Sequence, residues 1–131
     1  EEEGRRLISA AVEAYGAACG SAIREEVLGK GLELSAENFN LPRDLPRYGF
    51  AHGSVQTTEG ERHATVTYCP LAATFSAQGE RARRLGRLYC NVDQAKQRAY
   101  NPEYACVHVK NVLDGDEYCE FALVKTDSQE E

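Results

Sequence analysis

The sequence predicts an α+β domain: a four-stranded antiparallel sheet built of two hairpins, with an N-terminal and a central helix packed on it. Three observations carry this expectation. Apolar residues recur at helical spacing across residues 5–29. Two stretches, 51–69 and 105–124, alternate apolar and polar residues around a turn signal. Between them, residues 72–100 return to helical spacing. The order helix, hairpin, helix, hairpin favours an antiparallel sheet with helices on one face, and a ligand site between the two layers.

The first helix is expected to bury Leu7, Ile8, Ala11, Val12, Tyr15, Ala18, Cys19, Ala22, Ile23 and Val27, with charged residues on its other side. Gly16 and Gly20 weaken it slightly and allow close packing; Gly29 and Gly31 stop it. Cys19 on that stripe reads as a small buried hydrophobe. Residues 35–50 form a connector broken by Leu41-Pro42, Leu45-Pro46 and Tyr48-Gly49, with a brief helical turn from Ser35 to Phe39.

The first hairpin turns at Glu59-Gly60-Glu61. In its second strand Ala64, Val66 and Tyr68 alternate with Thr65, Thr67 and Cys69, and Pro70 ends the pairing. Residues 72–100 are expected as helix with weak points at Gly79 and Gly86, stopped by Asn101-Pro102. On it, Cys90 and Asp93 are neighbours on one face. The second hairpin turns tightly at Asp114-Gly115-Asp116. Cys106, His108 and Lys110 share one face of its first strand. Cys119, Phe121 and Leu123 share one face of the return strand. The 131 residues form one domain, with residues 1–4 and 126–131 expected as frayed ends.

A net charge of −6 and a pI near 5.1 argue against nucleic acid or an anionic membrane as partner. Arg81, Arg83, Arg84 and Arg87 form the one basic cluster, expected as a solvated helix face. No apolar run has the length of a membrane span and no signal-peptide pattern opens the chain, so a cytoplasmic location is expected. The five cysteines are an odd number, expected as free thiols of a reducing compartment. Neither a CxxC pair nor a zinc-ligand spacing occurs, so no metal and no cofactor is expected. Nucleotide-cradling glycine loops and a Ser-His-Asp order are absent as well. The expected partner is a small molecule, and a homo-oligomer is left open.

Cys69 stands at a strand end before a proline and a helix start. A thiol there feels the positive end of the helix dipole, which favours a nucleophilic thiolate; a plain strand-end cysteine is the alternative. Beside Cys90, Asp93 fits a base or a ligand for a substrate amine better than an activator of the thiol, because a carboxylate raises a neighbouring thiol's pKa. His108 is a candidate base or pocket residue, Asn101 a candidate pocket amide. Cys119 by composition is core filler. His52 and His63 carry no motif.

The order of motifs adds to this. Tyr-Cys-Pro at 68–70, Leu-Tyr-Cys-Asn-Val-Asp at 88–93, Tyr-Asn-Pro at 100–102 and Leu-Asp-Gly-Asp-Glu-Tyr-Cys-Glu-Phe at 113–121 resemble the L-2-amino-thiazoline-4-carboxylic acid hydrolase family. The resemblance covers residues 50–124. It implies hydrolytic opening of a cyclic amidine-like ring, the founding substrate being a thiazoline carboxylate opened to an N-carbamoyl cysteine. It carries Cys69, Cys90, Asp93 and Cys119 over as motif residues and does not settle their individual roles. Together with the residue readings above, the expectation is Cys69, Cys90 and Asp93 for catalysis and Asn101, His108 and Cys119 for substrate binding. The final hairpin is also similar to the vinyl-reductase-type small-molecule-binding domain, which implies a non-catalytic binding or sensor module. A third alternative is a non-catalytic family member whose thiols fill the core.

Overall fold

The computed structural model describes residues 1–40 and 49–126. Half of the connector, including Leu41-Pro42, Leu45-Pro46 and Tyr48, and the last residues of the acidic tail lie outside the described residues. The fold is α+β: helices and a four-stranded, fully antiparallel open sheet. Among the described residues, no helix is long and apolar enough to cross a membrane.

Helix α1 spans Glu2–Gly29, with Glu2 and Glu3 at its positive end. It therefore takes in residues 2–4, which were expected at a frayed end. Its buried stripe is narrower than the apolar pattern: Val12, Gly16, Gly20, Ile23 and Val27 are buried, whereas Leu7 and Tyr15 are 56% and 49% exposed and Cys19 is half-buried. The seam is narrow because it is made by glycines. A Cβ on Gly20 would lie 2.2 Å from the Lys96 carbonyl oxygen, and one on Gly16 would lie 2.6 Å from the Ala95 Cβ. Bare backbone lets α1 lie directly along α5 (Val92–Tyr100). A small core of Ile23, Val27 and Tyr100 closes the end of this seam, with Leu34 and Phe39 packed on it. Phe39 belongs to the short α2 (Ala36–Phe39), capped by the Ser35 hydroxyl.

The central helix is three helices: α3 (Pro70–Ala77), α4 (Glu80–Tyr89) and α5. The first break falls at Gly79, whose φ of 108° favours glycine. The second falls at Cys90-Asn91, where the backbone tightens to three-residue turns: Cys90 N–H donates to Arg87 O, and Asp93 N–H to Cys90 O. Gly86 is no weak point. It is buried under the Phe75 ring, where a Cβ would meet ring atoms at 2.3 Å.

The strands are β1 (Ala51–Gln56), β2 (Arg62–Tyr68), β3 (Tyr104–Lys110) and β4 (Cys119–Lys125), in the order β1-β2-β4-β3. Each expected hairpin forms, and β2 joins them by pairing with β4. The tight turn expected at Asp114-Gly115-Asp116 is preceded by a one-turn 3-10 helix, Val112–Asp114. Asn111 caps that turn: its Oδ1 accepts from Leu113 N–H, while its own N–H donates to Asp116 Oδ2. Register pairs Ala64 with Phe121, Val66 with Cys119 and His108 with Phe121, so these residues share one face. A bulge between His108 and Lys110 places Lys110 opposite Glu120 on the other face. The shared face expected for His108 and Lys110 is thus broken by one extra residue.

Candidate functional site

Between the inner face of the sheet and the helices lies a cavity of about 500 Å³. Its wall includes Cys69, Cys90, Cys106 and Cys119, together with Asp93, His108 and Asn111. Each arrives by a different route. Cys119 and Phe121 come from β4, and Cys106 and His108 from β3. Cys90 stands at the end of α4, and Asp93 in the first turn of α5.

Cys69 is the N-cap of α3. Strand β2 ends at Tyr68, so Cys69 does not continue the face of Thr65 and Thr67 as alternation suggested. Its sulfur accepts from the Ala72 N–H at 3.5 Å, and its carbonyl takes the next helical bond, from Ala73 N–H. Pro70 at the first helical position supplies the fixed φ that starts the helix there. The thiol thus sits where the helix presents partial positive charge.

The other three thiols are held differently. Burial pushes Cys90 up to about 11, against a weaker opposing pull from an Asn111 hydrogen bond and the Arg87 charge. Burial, reinforced by the Asp93 carboxylate, pushes Cys106 up to about 12. Burial likewise raises Cys119. At neutral pH these three are thiols, able to shape a wall and to donate weakly, and poor as nucleophiles.

Asp93 and His108 are joined in a chain. His108 Nε2 lies 3.2 Å from Asp93 Oδ2, and His108 Nδ1 lies 3.3 Å from Asn111 Nδ2. The Asn111 amide orientation follows from its other bond: Oδ1 accepts from a backbone N–H, so Nδ2 faces the imidazole. His108 Nδ1 is then an acceptor, and the ring proton sits on Nε2 and is donated to Asp93. The edge of the His108 ring packs on Phe121, with centroids 4.9 Å apart, and its side chain is 4% exposed. Both ring nitrogens are engaged, which suits His108 to orienting Asp93 rather than to accepting a substrate proton. The Asp93 side chain is 40% exposed.

Asn101 is placed outside this cavity. It caps the end of α5, its Nδ2 donates to Leu34 O at 3.0 Å and its Oδ1 accepts from Glu103 N–H. Its amide ties the α1–α2 connection to the end of α5. Cys90 and Asp93 both reach the cavity, but across the α4–α5 junction rather than along one helix. Sequence reasoning set Cys106 aside, yet it lines the wall. It missed Asn111, although an Asn just before a turn is a capping signal. It also missed Lys96 and Gln97, buried on the cavity side of α5. Among the described residues, no group of three metal-ligating side chains is brought together.

The family model described as L-2-amino-thiazoline-4-carboxylic acid hydrolase matches residues 1–123. The chain belongs to this family. The match takes in α1 as well as residues 50–124, where the motif resemblance lies. No curated protein and no solved structure matches the chain. The family is named for a hydrolase of a small cyclic molecule, so a small-molecule substrate is implied.

Proposed function

We propose that the protein is a hydrolase that opens a small cyclic amidine-like ring, such as a 2-aminothiazoline carboxylate, with Cys69 as nucleophile and Asp93 as the group that binds the amidine. The observation that carries this is the meeting of Cys69 and Asp93 at one cavity in a chain of this family. The contrast among the thiols supports the choice of Cys69. Burial raises Cys90, Cys106 and Cys119, while Cys69 has a backbone N–H and a helix N-terminus at its sulfur.

The Cys69 thiolate adds to the ring carbon between nitrogen and sulfur. The bond from that carbon to the ring sulfur then breaks, and the sulfur leaves as a thiolate that takes up a proton. A covalent isothiourea on Cys69 remains. Water, deprotonated toward Asp93, adds to the same carbon, and Cys69 leaves as thiolate. The water oxygen becomes the carbonyl of the N-carbamoyl product. Asp93, oriented by His108, pairs with the amidinium in the first half and holds the proton in the second. Cys119 and Phe121 form the floor beneath the ring.

The test is Cys69→Ser, assayed by release of product thiol from 2-aminothiazoline-4-carboxylate. Turnover should vanish while the melting temperature stays put, and retained turnover would sink the assignment. Alkylation of the wild type gives the contrary reading its chance. If every cavity thiol, Cys69 included, reacts slowly up to pH 8.5, the site is a binding pocket without a nucleophile.

A further inference from the structure

A second concavity, of about 330 Å³, opens where α1 meets α4 and the 3-10 turn. Its lining is Arg5, Arg83, Arg84, Arg87, Leu113 and Asp114. Sequence reasoning treated the α4 arginines as a solvated helix face. The fold instead gathers three of them around a hollow and adds Arg5 from α1. Arg81, the fourth of that cluster, approaches Glu1 at 3.9 Å and helps join the starts of the two helices.

We propose that this concavity is a binding site for a phosphate group, as the free ion or on a small ester. The charge balance is the first support. Four guanidinium groups face two carboxylates, Asp114 and Glu80, in a chain whose net charge is −6. Pre-organisation is the second. Arg83 is fixed by Glu80 and by the Leu113 carbonyl oxygen, and Arg87 by Asp114 and the Asn91 side chain. Held in this way, their guanidinium planes lose little freedom when a ligand arrives. The third is unused capacity. Arg5, half-buried, makes no side-chain hydrogen bond among the described residues, and Arg84 makes one weak contact to Glu80 at 3.4 Å. Guanidinium forks match phosphate oxygens two at a time, so several forks around one hollow favour phosphate over a single carboxylate. None of the four arginines lines the cysteine cavity, and Leu113 is the one residue of wall common to both among the described residues. The site is therefore separate from the proposed substrate pocket and stands independently of the hydrolase reading.

The test is calorimetric titration of the full chain at constant ionic strength with inorganic phosphate, pyrophosphate and glycerol phosphate. A saturable one-to-one isotherm is expected with at least one of them. Tighter binding of glycerol phosphate than of inorganic phosphate assigns the ester, and the reverse order assigns the free ion. Arg5→Ala combined with Arg84→Ala should weaken binding about tenfold or more, the effect of losing charge-assisted hydrogen bonds. Melting of the ligand-free double variant checks folding, and Arg5→Gln alone serves if that variant does not fold. Absence of saturable binding up to tens of millimolar, or unchanged affinity in the variant used, would overturn the site.

Discussion

On the inner face of the sheet, Cys106, His108, Cys119 and Phe121 look into a cavity. On the outer face stand Glu120 and Lys110 of the same two strands, with His63 of the neighbouring β2. The outer groups answer one another. His63 Nδ1 lies 2.7 Å from Glu120 Oε2, and Lys110 Nζ lies 3.2 Å from the Tyr118 hydroxyl and over its ring. The inner groups form a chain that runs one way, from Asn111 through His108 to Asp93, and ends on a carboxylate still 40% exposed. A closed network serves stability, because each charge already has its partner. An open-ended one at a cavity keeps capacity for a ligand. The two faces therefore should fail differently when disturbed.

The largest effect expected from the inner face, beyond loss of the proposed nucleophile, is that of Asp93→Asn. The amide oxygen can still accept from His108 Nε2–H, so packing is kept, while the charge proposed to pair with the amidine and to take the proton is lost. We expect kcat/KM to fall roughly a hundredfold or more, the usual scale for a lost general base. The melting temperature should change little. Activity within threefold of wild type would remove Asp93 from the chemistry.

Next in size is Gly20→Ala. A methyl group there meets the Lys96 carbonyl oxygen and the Ala99 side chain, so α5 must move off α1. Overpacking of this kind costs about 1–3 kcal/mol. Because α5 carries Asp93, kcat/KM should drop along with melting temperature, while an outer-face variant of equal destabilisation should keep its kcat/KM. Equal behaviour of the two would mean that the inner face draws nothing from the α1–α5 seam.

The sequence made the elements legible because each follows from local rules: a helical stripe in α1, alternation in the strands, proline and glycine at the ends. The contexts of Cys69, Cys90 and Cys119 were legible as a series because these three sit at element boundaries. What was hidden depended on breaks and shifts. Cys90 and Asn91 carry no residue that ends a helix, so the α4–α5 junction showed no signal. The bulge after His108 comes from pairing with β4, which no local pattern encodes, and it moved Lys110 to the outer face. Cys106 looked peripheral because it shares its expected face with His108 and Lys110, a polar face open to water as readily as to a pocket; pairing with Leu123 set its side. Asn101 looked available because its partner, the Leu34 carbonyl, is far away in sequence. The α4 arginines read as a solvent face until α1 brought Arg5 beside them.

The smallest expected effect belongs to the outer face and is one of pH. The hydrogen bond to Glu120 raises His63 above its ordinary 6.5, with Glu61 adding to it and burial opposing. Protonated His63 is therefore favoured in the folded chain over the unfolded one. The stabilisation is fully present below about pH 6.5 and is lost as pH rises through the raised folded pKa. Glu120→Gln removes the principal cause. Lys110, held up chiefly by Tyr118 and to a lesser degree by Glu120, stays protonated through this range and does not supply the transition. Wild type should melt above Glu120→Gln at pH 5.5, and the gap should narrow steadily toward pH 9. Thermal melts of both proteins across that range measure it. A gap that stays constant would mean that the His63–Glu120 contact is an ordinary hydrogen bond whose strength does not depend on protonation. A gap that narrows while kcat/KM of the variant holds would keep the charge pair on the stability side of the sheet and the chemistry on the other.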